Sequence, residues 1–344
     1  MDLKDFDYSL PEELIAQFPA RRRDRSRLLV YDRNTGDRHH LRFGDIVSYF
    51  RKGDALVVNN TRVFKARLIG HRRTGARVEI LLVRVFEEGS GELWIGLARP
   101  SRRIKVGEQI LFDKKDSLTL EKDIGGGRWL VRFRSASSRK RVISHFGHVP
   151  LPPYISRKDE PGDVRRYQTV FADPVGSIAA PTAGFHFTRP LLKKLRQKGV
   201  AIVEVTLHVG PGTFKPIQSR DIRQHSVDPE YAVLTPVAAR RLSRIRQRGG
   251  AIFAVGSTSM RTLESTKVKG GQIQPFEGMT NLYIRPGHRF RLVSHLITNF
   301  HLPKSSLLVL VSSFAGRDEI MSLYREAIDW EYRFYSYGDA MLIL

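Results

Sequence analysis

The spacing of apolar positions changes character along this chain, and each change predicts a different kind of element. Leu10-Pro11-Glu12-Glu13-Leu14-Ile15 predicts a short helix with proline in its first turn. Leu28–Tyr31 predicts a strand, Asn34-Thr35-Gly36 a turn and Phe43–Phe50 a helix. Ala55–Val58 is unbroken apolar sequence, which predicts a buried strand, and it delivers Asn59-Asn60-Thr61-Arg62 at its end. Across residues 65–150 the runs shorten. Lys65–Gly70, Arg77–Phe86, Leu93–Ala98, Gln109–Phe112, Ser117–Leu120 and Trp129–Phe133 are strand-like. Thr74-Gly75, Glu88-Gly89-Ser90-Gly91, Val106-Gly107 and Gly125-Gly126-Gly127 supply turns between them, which predicts a small barrel.

After Leu151-Pro152-Pro153, strands alternate with helices. Thr188 can cap a helix that carries Pro190 and stops at Gly199, followed by a strand over Val200–Leu207. Thr235-Pro236 opens a second helix, Gly249-Gly250 ends it, and a strand over Ala251–Val255 follows. This alternation predicts a mainly parallel sheet. A last helix over Asp318–Arg333 is expected to bury Ile320, Leu323, Ala327, Ile328 and Trp330. No repeat or low-complexity tether interrupts the chain. The reading is an α/β protein: a large, mainly parallel α/β domain formed by residues 1–64 and 151–344, with residues 65–150 inserted as a small β-barrel domain.

Composition adds a partner class. A chain of 344 residues suits two domains, and 41% hydrophobic residues can fill their cores. Lysine and arginine number 58 against 35 acids, a net charge of +23, which favours polyanionic partners, nucleic acid first. Arg21-Arg22-Arg23-Asp24-Arg25-Ser26-Arg27, Arg139-Lys140-Arg141 and Arg240-Arg241 concentrate that charge, while Arg72, Arg73, Arg77, Arg99, Arg102, Arg103 and Lys105 dot the barrel segment. Such runs track phosphates and carry no base sequence information. No apolar segment reaches the ~18 residues needed to span a bilayer, so no membrane partner is expected. There is no cysteine, which excludes thiol nucleophiles, disulfides and cysteine-bound metals. The first residues lack a secretory pattern, and a cytoplasmic location is expected.

The candidate chemistry lies in polar clusters beside apolar strands or helix starts, where open α/β sheets gather ligands. These are Asn59-Asn60-Thr61-Arg62, Ala180-Pro181-Thr182-Ala183-Gly184-Phe185-His186-Phe187, Thr206-Leu207-His208-Val209-Gly210-Pro211-Gly212-Thr213-Phe214, and Gly256-Ser257-Thr258-Ser259-Met260-Arg261. Gly256-Ser257-Thr258 suits an anion at a helix N-terminus, either a substrate carboxylate or an RNA phosphate; a plain capped turn fits as well. His186 and His208 can serve as acid and base, because histidine titrates near neutrality. His186, set between two phenylalanines, also fits a hydrogen-bonded core residue. His225 and Glu230 lie in a turn-rich stretch that can present both side chains to a cleft, but reads most simply as a solvated loop. The 11 histidines show no metal-ligand spacing, and no metal is expected. No Walker loop or dinucleotide fingerprint occurs.

These clusters belong to longer motifs that together resemble the S-adenosylmethionine:tRNA ribosyltransferase-isomerases of queuosine biosynthesis. The resemblance runs from Phe6-Asp7-Tyr8-Ser9-Leu10-Pro11 through Val58-Asn59-Asn60-Thr61-Arg62-Val63 and Gly147-His148-Val149-Pro150-Leu151-Pro152-Pro153-Tyr154-Ile155. It continues through Tyr167-Gln168-Thr169-Val170-Phe171, Thr298-Asn299-Phe300-His301-Leu302-Pro303 and Tyr335-Ser336-Tyr337-Gly338-Asp339-Ala340-Met341. Phe185 stands where the family usually has leucine, and Asp228 where it often has histidine.

The resemblance implies transfer and isomerisation of the ribose of S-adenosylmethionine onto 7-aminomethyl-7-deazaguanine at the tRNA wobble position. The product implied is epoxyqueuosine, with adenine and methionine released. A sulfonium acidifies the adjoining ribose carbon, so a base is needed there. Adenine departs more readily when protonated, which asks for an acid. The amine of the tRNA base is the nucleophile, which agrees with a chain lacking cysteine and any recognisable triad. On matched motifs, His186 and His208 are the expected acid/base pair. Asn60, Thr182, Thr258, Arg261 and Asn299 are expected to position S-adenosylmethionine, the co-substrate. The partner is tRNA, and a monomer is expected. Two rival classes are an S-adenosylmethionine-dependent RNA methyltransferase and a non-catalytic RNA binder. The first lacks its glycine-rich loop, and the polar clusters at strand ends disfavour the second.

Overall fold

Alternate residues of the strand Ala55–Asn59 face opposite apolar layers: Ala55 and Val57 join one core cluster, Leu56 and Val58 another. That two-sided burial is why its sequence is continuously apolar. The computed structural model describes residues 1–87, 93–214 and 216–344, and the turn expected at Glu88-Gly89-Ser90-Gly91 lies outside them. Ala55–Asn59 is central to a nine-stranded sheet with the order Phe276–Thr280, Glu230–Leu234, Ala201–Leu207, Ala55–Asn59, Ile252–Val255, His295–Asn299, Ala340–Ile343, Arg27–Tyr31, Arg38–Arg42.

The four strands from Ala201–Leu207 to His295–Asn299 are parallel, as are Ala340–Ile343 and Arg27–Tyr31. The other four pairings are antiparallel. Helices cover both faces. Leu191, Leu192 and Leu195 of helix Arg189–Gln197 pack on one side. Helices Pro236–Gln247, Ser306–Ala315 and Arg317–Asp329 contribute to the other cluster. Thr188 caps its helix by accepting from the Leu191 N–H at 3.2 Å, as its position before Pro190 suggested.

The last helix departs from expectation in its buried face. Ile320, Leu323, Tyr324 and Ala327 are buried, whereas Ile328 is only partly so and Trp330 is exposed. The helix ends at Asp329, so the helical period does not carry Trp330 inward; its ring stacks on His40 with centroids 4.0 Å apart. Phe43–Tyr49 is helical but of the 3-10 type. The helix Ala136–His145, with Ser135 as its cap, had no counterpart in the sequence reading.

The inserted barrel is antiparallel and closed by six strands: Arg67–His71, Arg77–Glu87, Leu93–Arg99, Arg128–Phe133, Ser117–Gly125 and Gln109–Leu111, which returns to Arg67–His71. Closure depends on Gly70, where a Cβ would lie 2.7 Å from the Ile110 Cγ2 and 2.9 Å from the Leu111 carbonyl oxygen. The α/β class with an inserted small barrel, read from the alternation of periods, is the architecture found. Arg128 of the barrel reaches Asp228 of the larger body through contacts of 2.9 and 3.0 Å to its two carboxylate oxygens.

Candidate active site

Because four neighbouring strands run parallel, their carboxyl ends converge on one edge of the sheet. Asn59-Asn60, Leu207-His208-Val209, Val255-Gly256 and Asn299-Phe300-His301 all emerge there. The antiparallel strand Ala340–Ile343 begins at this edge and brings Tyr335 and Ser336 with it. A cavity of about 390 Å³ opens between these segments. Its wall includes Thr182, Val209, Gly256, Ser257, Thr258, Thr298, Asn299, His301, Tyr154 and Tyr335. Among the described residues, no lysine, arginine, aspartate or glutamate lines it.

Three expected positioning residues therefore face one space: Thr182, Thr258 and Asn299. Thr182 donates its hydroxyl to the Asn299 Oδ1 at 3.0 Å. The Asn299 amide Nδ2 donates to the Asp339 carbonyl at 3.3 Å and meets the His186 Nε2 at 3.0 Å. A carbonyl only accepts, so this contact fixes the amide orientation and makes the His186 Nε2 an acceptor. The proton is then on Nδ1, which is 2.7 Å from the Ser26 hydroxyl oxygen. Burial, with Arg23 and Arg333 nearby, pulls the His186 pKa down to about 3. His186 is 3% exposed, stacks on Phe43 and is absent from the cavity wall.

His208 lies at the same edge but outside this wall. Its Nδ1 is 2.7 Å from the Thr61 hydroxyl, its ring is stacked on Tyr231 at 6.0 Å, and Gly176 packs against it. Partial burial lowers its pKa. The cleft that the two histidines were expected to share thus has neither ring among its lining residues.

Asn60 and Arg261 also stand back from the wall. Asn60 accepts from the Thr206 hydroxyl at 2.7 Å and donates to Glu204 at 3.1 Å, tying the ends of adjacent strands. Arg261, 8% exposed, pairs with Glu230 and donates to the Leu282 carbonyl at 3.0 Å. Glu230 is buried rather than in a solvated loop. It also accepts from the Gly210 N–H at 2.8 Å and the Thr213 hydroxyl at 3.3 Å. The expectation of a loop failed there because Glu230 begins a strand and its charge is matched inside the protein.

The sequence reading did not single out His301, Tyr154, Tyr335 or Ser336 for chemistry, although all lie in the long motifs. His301 is the histidine that lines the cavity among the described residues. Its Nε2 is 2.8 Å from the Thr298 hydroxyl, its N–H donates to the Tyr324 hydroxyl at 3.0 Å, and its carbonyl accepts from Tyr8. Burial lowers its pKa to about 3, so the ring is neutral near pH 7. Tyr154 and Tyr335 lie with ring centroids 4.2 Å apart, and Tyr154 hydrogen-bonds Ser336. Burial raises both phenol pKa values, keeping the pair uncharged. The site is a neutral, partly aromatic chamber with hydroxyl and amide groups at its wall. It suits a small molecule whose charges are small in number and individually met.

A family model described as queuosine biosynthesis protein matches residues 3–343. The chain is 49% identical to an S-adenosylmethionine:tRNA ribosyltransferase-isomerase of Syntrophomonas wolfei, covering 99% of this chain and 97% of that one. It is 45% identical to the protein of the same name from Desulforamulus reducens, with 100% of both chains covered. A solved S-adenosylmethionine tRNA ribosyltransferase from Thermotoga maritima is similar in structure, with a TM-score of 0.56 and 38% identity, over 99% of this chain and 100% of that one.

Proposed function

Because this chain belongs to the queuosine biosynthesis protein family, we propose that it is an S-adenosylmethionine:tRNA ribosyltransferase-isomerase whose co-substrate enters the strand-end cavity. The reaction proposed is transfer and isomerisation of the ribosyl group onto 7-aminomethyl-7-deazaguanine at the wobble position. Epoxyqueuosine forms, and adenine and methionine leave. The observation that carries this reading is the cavity itself, which brings Thr182, Thr258 and Asn299 together at the edge where α/β sheets bind ligands. Its aromatic pair, Tyr154 and Tyr335, offers stacking faces to a nucleobase and a π-surface to a sulfonium.

Roles follow from distance to the cavity. Thr182 and Asn299 orient the co-substrate directly. His186 acts through Asn299, holding the amide in the rotamer that accepts from Thr182, and is a positioning residue. His301 is the neutral ring best placed to take or return a proton in the cavity. His208 keeps an acid/base role only if its ring turns from Thr61 when tRNA binds. Asn60 and the Arg261–Glu230 pair brace the strand ends.

Incubation with S-adenosylmethionine and tRNA carrying the aminomethyl base tests the reading. Free adenine and methionine are the expected products. S-adenosylhomocysteine in their place would indicate methyl transfer, and unchanged co-substrate would indicate a binding protein; either result overturns the proposal.

A further inference from the structure

Helix Gly256–Glu264 begins at the cavity wall, and its first turn has no side-chain cap. Val255 stands at its N-cap position and makes no side-chain cap hydrogen bond. Helices ordinarily satisfy these first N–H groups with a serine, threonine or aspartate cap. Here, among the described residues, neither a side chain nor another segment accepts from the Ser257 or Thr258 N–H. Gly256, Ser257 and Thr258 all line the cavity. Gly256 has φ +80°, a conformation in which a side chain would be strained, so the glycine sets the angle at which strand becomes helix.

A second, independent feature marks the same point. Thr258 is only 8% exposed, and its Oγ1 is buried with no hydrogen-bond partner. A buried hydroxyl left unpaired is costly and calls for a partner. The next cation, Arg261, is already matched by Glu230 one turn further along the helix. A second helix start, that of Ser306–Ala315, reaches the wall through Ser305 and Leu307, but the Ser305 hydroxyl caps it by accepting from the Leu308 N–H at 3.2 Å. The start of helix Gly256–Glu264 is the one of the two that lacks a side-chain cap.

We propose that this first turn is the subsite for the α-carboxylate of the methionyl part of S-adenosylmethionine, with the Ser257 and Thr258 N–H groups and the Thr258 hydroxyl donating to it. The proposal rests on the reading that the co-substrate occupies the cavity. Within that reading it fixes a direction: carboxylate against helix Gly256–Glu264, and the nucleoside toward Tyr154 and Tyr335. The wall offers the carboxylate no cationic side chain among its described residues, and the other helix start there is already capped by Ser305.

The test compares S-adenosylmethionine with its decarboxylated analogue by calorimetry, on the wild-type protein and on Thr258→Val, Thr258→Ser and Leu307→Trp, each checked by thermal melting. Leu307 also lines the cavity, and the larger ring would fill part of it. The expected result is that the analogue binds the wild type ~30-fold more weakly than S-adenosylmethionine. Thr258→Val should weaken S-adenosylmethionine roughly tenfold, leave the analogue unchanged, and be rescued by Thr258→Ser. Equal affinities for both ligands, with Leu307→Trp abolishing both, would overturn the subsite and keep the cavity. Binding of both ligands untouched by Leu307→Trp would overturn the cavity reading itself. Loss of tRNA affinity in Thr258→Val, with both nucleoside affinities unchanged, would assign the turn to an RNA phosphate and overturn the proposal.

Discussion

Two hollows of nearly equal size, about 390 Å³ at the strand ends and about 370 Å³ on the barrel, have opposite chemistry. The first is walled by alanine, proline, hydroxyl, amide and aromatic groups, with no charged side chain among its described residues. The second is lined by Asp113, Lys114, Lys115, Asp116, Arg132 and Arg134. The difference has a physical cause. The parallel strands end against packed segments, and an unpaired charge held there would bear a large desolvation cost. The barrel is filled by its own apolar core, including Leu68, Ile80, Ile110, Leu118 and Val131, so Asp113, Lys114, Lys115 and Arg134 lie outside in water, while the buried Asp116 is paired with Arg141. On the proposed reading, one region encloses the small substrate and the other meets an ionic surface. With a net charge of +23 and no charged side chain among the described residues of the strand-end cavity, the expectation is that tRNA is attracted by the surface.

That division is open to direct attack. The largest effect expected is on tRNA affinity. If ~6 phosphates are neutralised, binding should fall roughly a thousandfold between about 50 and 200 mM salt. S-adenosylmethionine affinity should stay within about twofold over the same range, since a neutral, enclosed cavity is little screened. Parallel salt titrations read both, and a similar slope for the two ligands would erase the distinction.

Next in size is turnover. His301→Ala should slow single-turnover adenine release by ~100-fold or more with tRNA affinity nearly unchanged. His186→Ala should slow it less, and His186→Gln, which can restore an acceptor toward Asn299, should recover much of the loss. His208→Ala separates the expectation drawn from motif order from the one drawn from the cavity wall. Near-normal adenine release from a well-folded His208→Ala protein would remove His208 from the mechanism. On the barrel, Lys114→Glu with Lys115→Glu should weaken tRNA binding about tenfold and leave adenine release at saturating tRNA intact. A turnover defect there would join the two regions.

The smallest effect is on stability. The unfolded His186 titrates near its ordinary value of 6.5, the folded one at about 3. Between those values the unfolded chain binds more protons, so stability is complete above about pH 6.5 and is lost as pH falls toward 3. At about pH 5 the loss from this residue alone is roughly 2 kcal/mol. Denaturant melts of wild type and His186→Gln over this range should converge as pH falls; parallel curves would contradict a neutral, buried ring.

What was legible in the sequence follows the same division. Strand and helix order was readable because two-sided burial leaves unbroken apolar runs such as Ala55–Val58, and because Thr188-Arg189-Pro190 and Thr235-Pro236 carry capping chemistry. The four polar clusters were readable because they sit beside such apolar strands or at helix starts. Helix Ala136–His145 was missed because its sequence is mostly polar, with only Ser138 and Val142 fully buried. The site was less legible than the fold. His186, flanked by phenylalanines, and His301, followed by Leu302-Pro303, look alike as sequence. Only tertiary packing turns the first toward Ser26 and Asn299 and leaves the second at the cavity. Glu230 looked solvated because its partner, Arg261, lies 31 residues away.

The most direct test of the central claim is a structure of the protein with S-adenosylmethionine bound. Ligand density is expected in the strand-end cavity, in contact with Thr182, Thr258 and Asn299, with the purine near Tyr154 and Tyr335. Density in the barrel hollow lined by Lys114, Lys115 and Arg134, with the strand-end cavity empty, would contradict it.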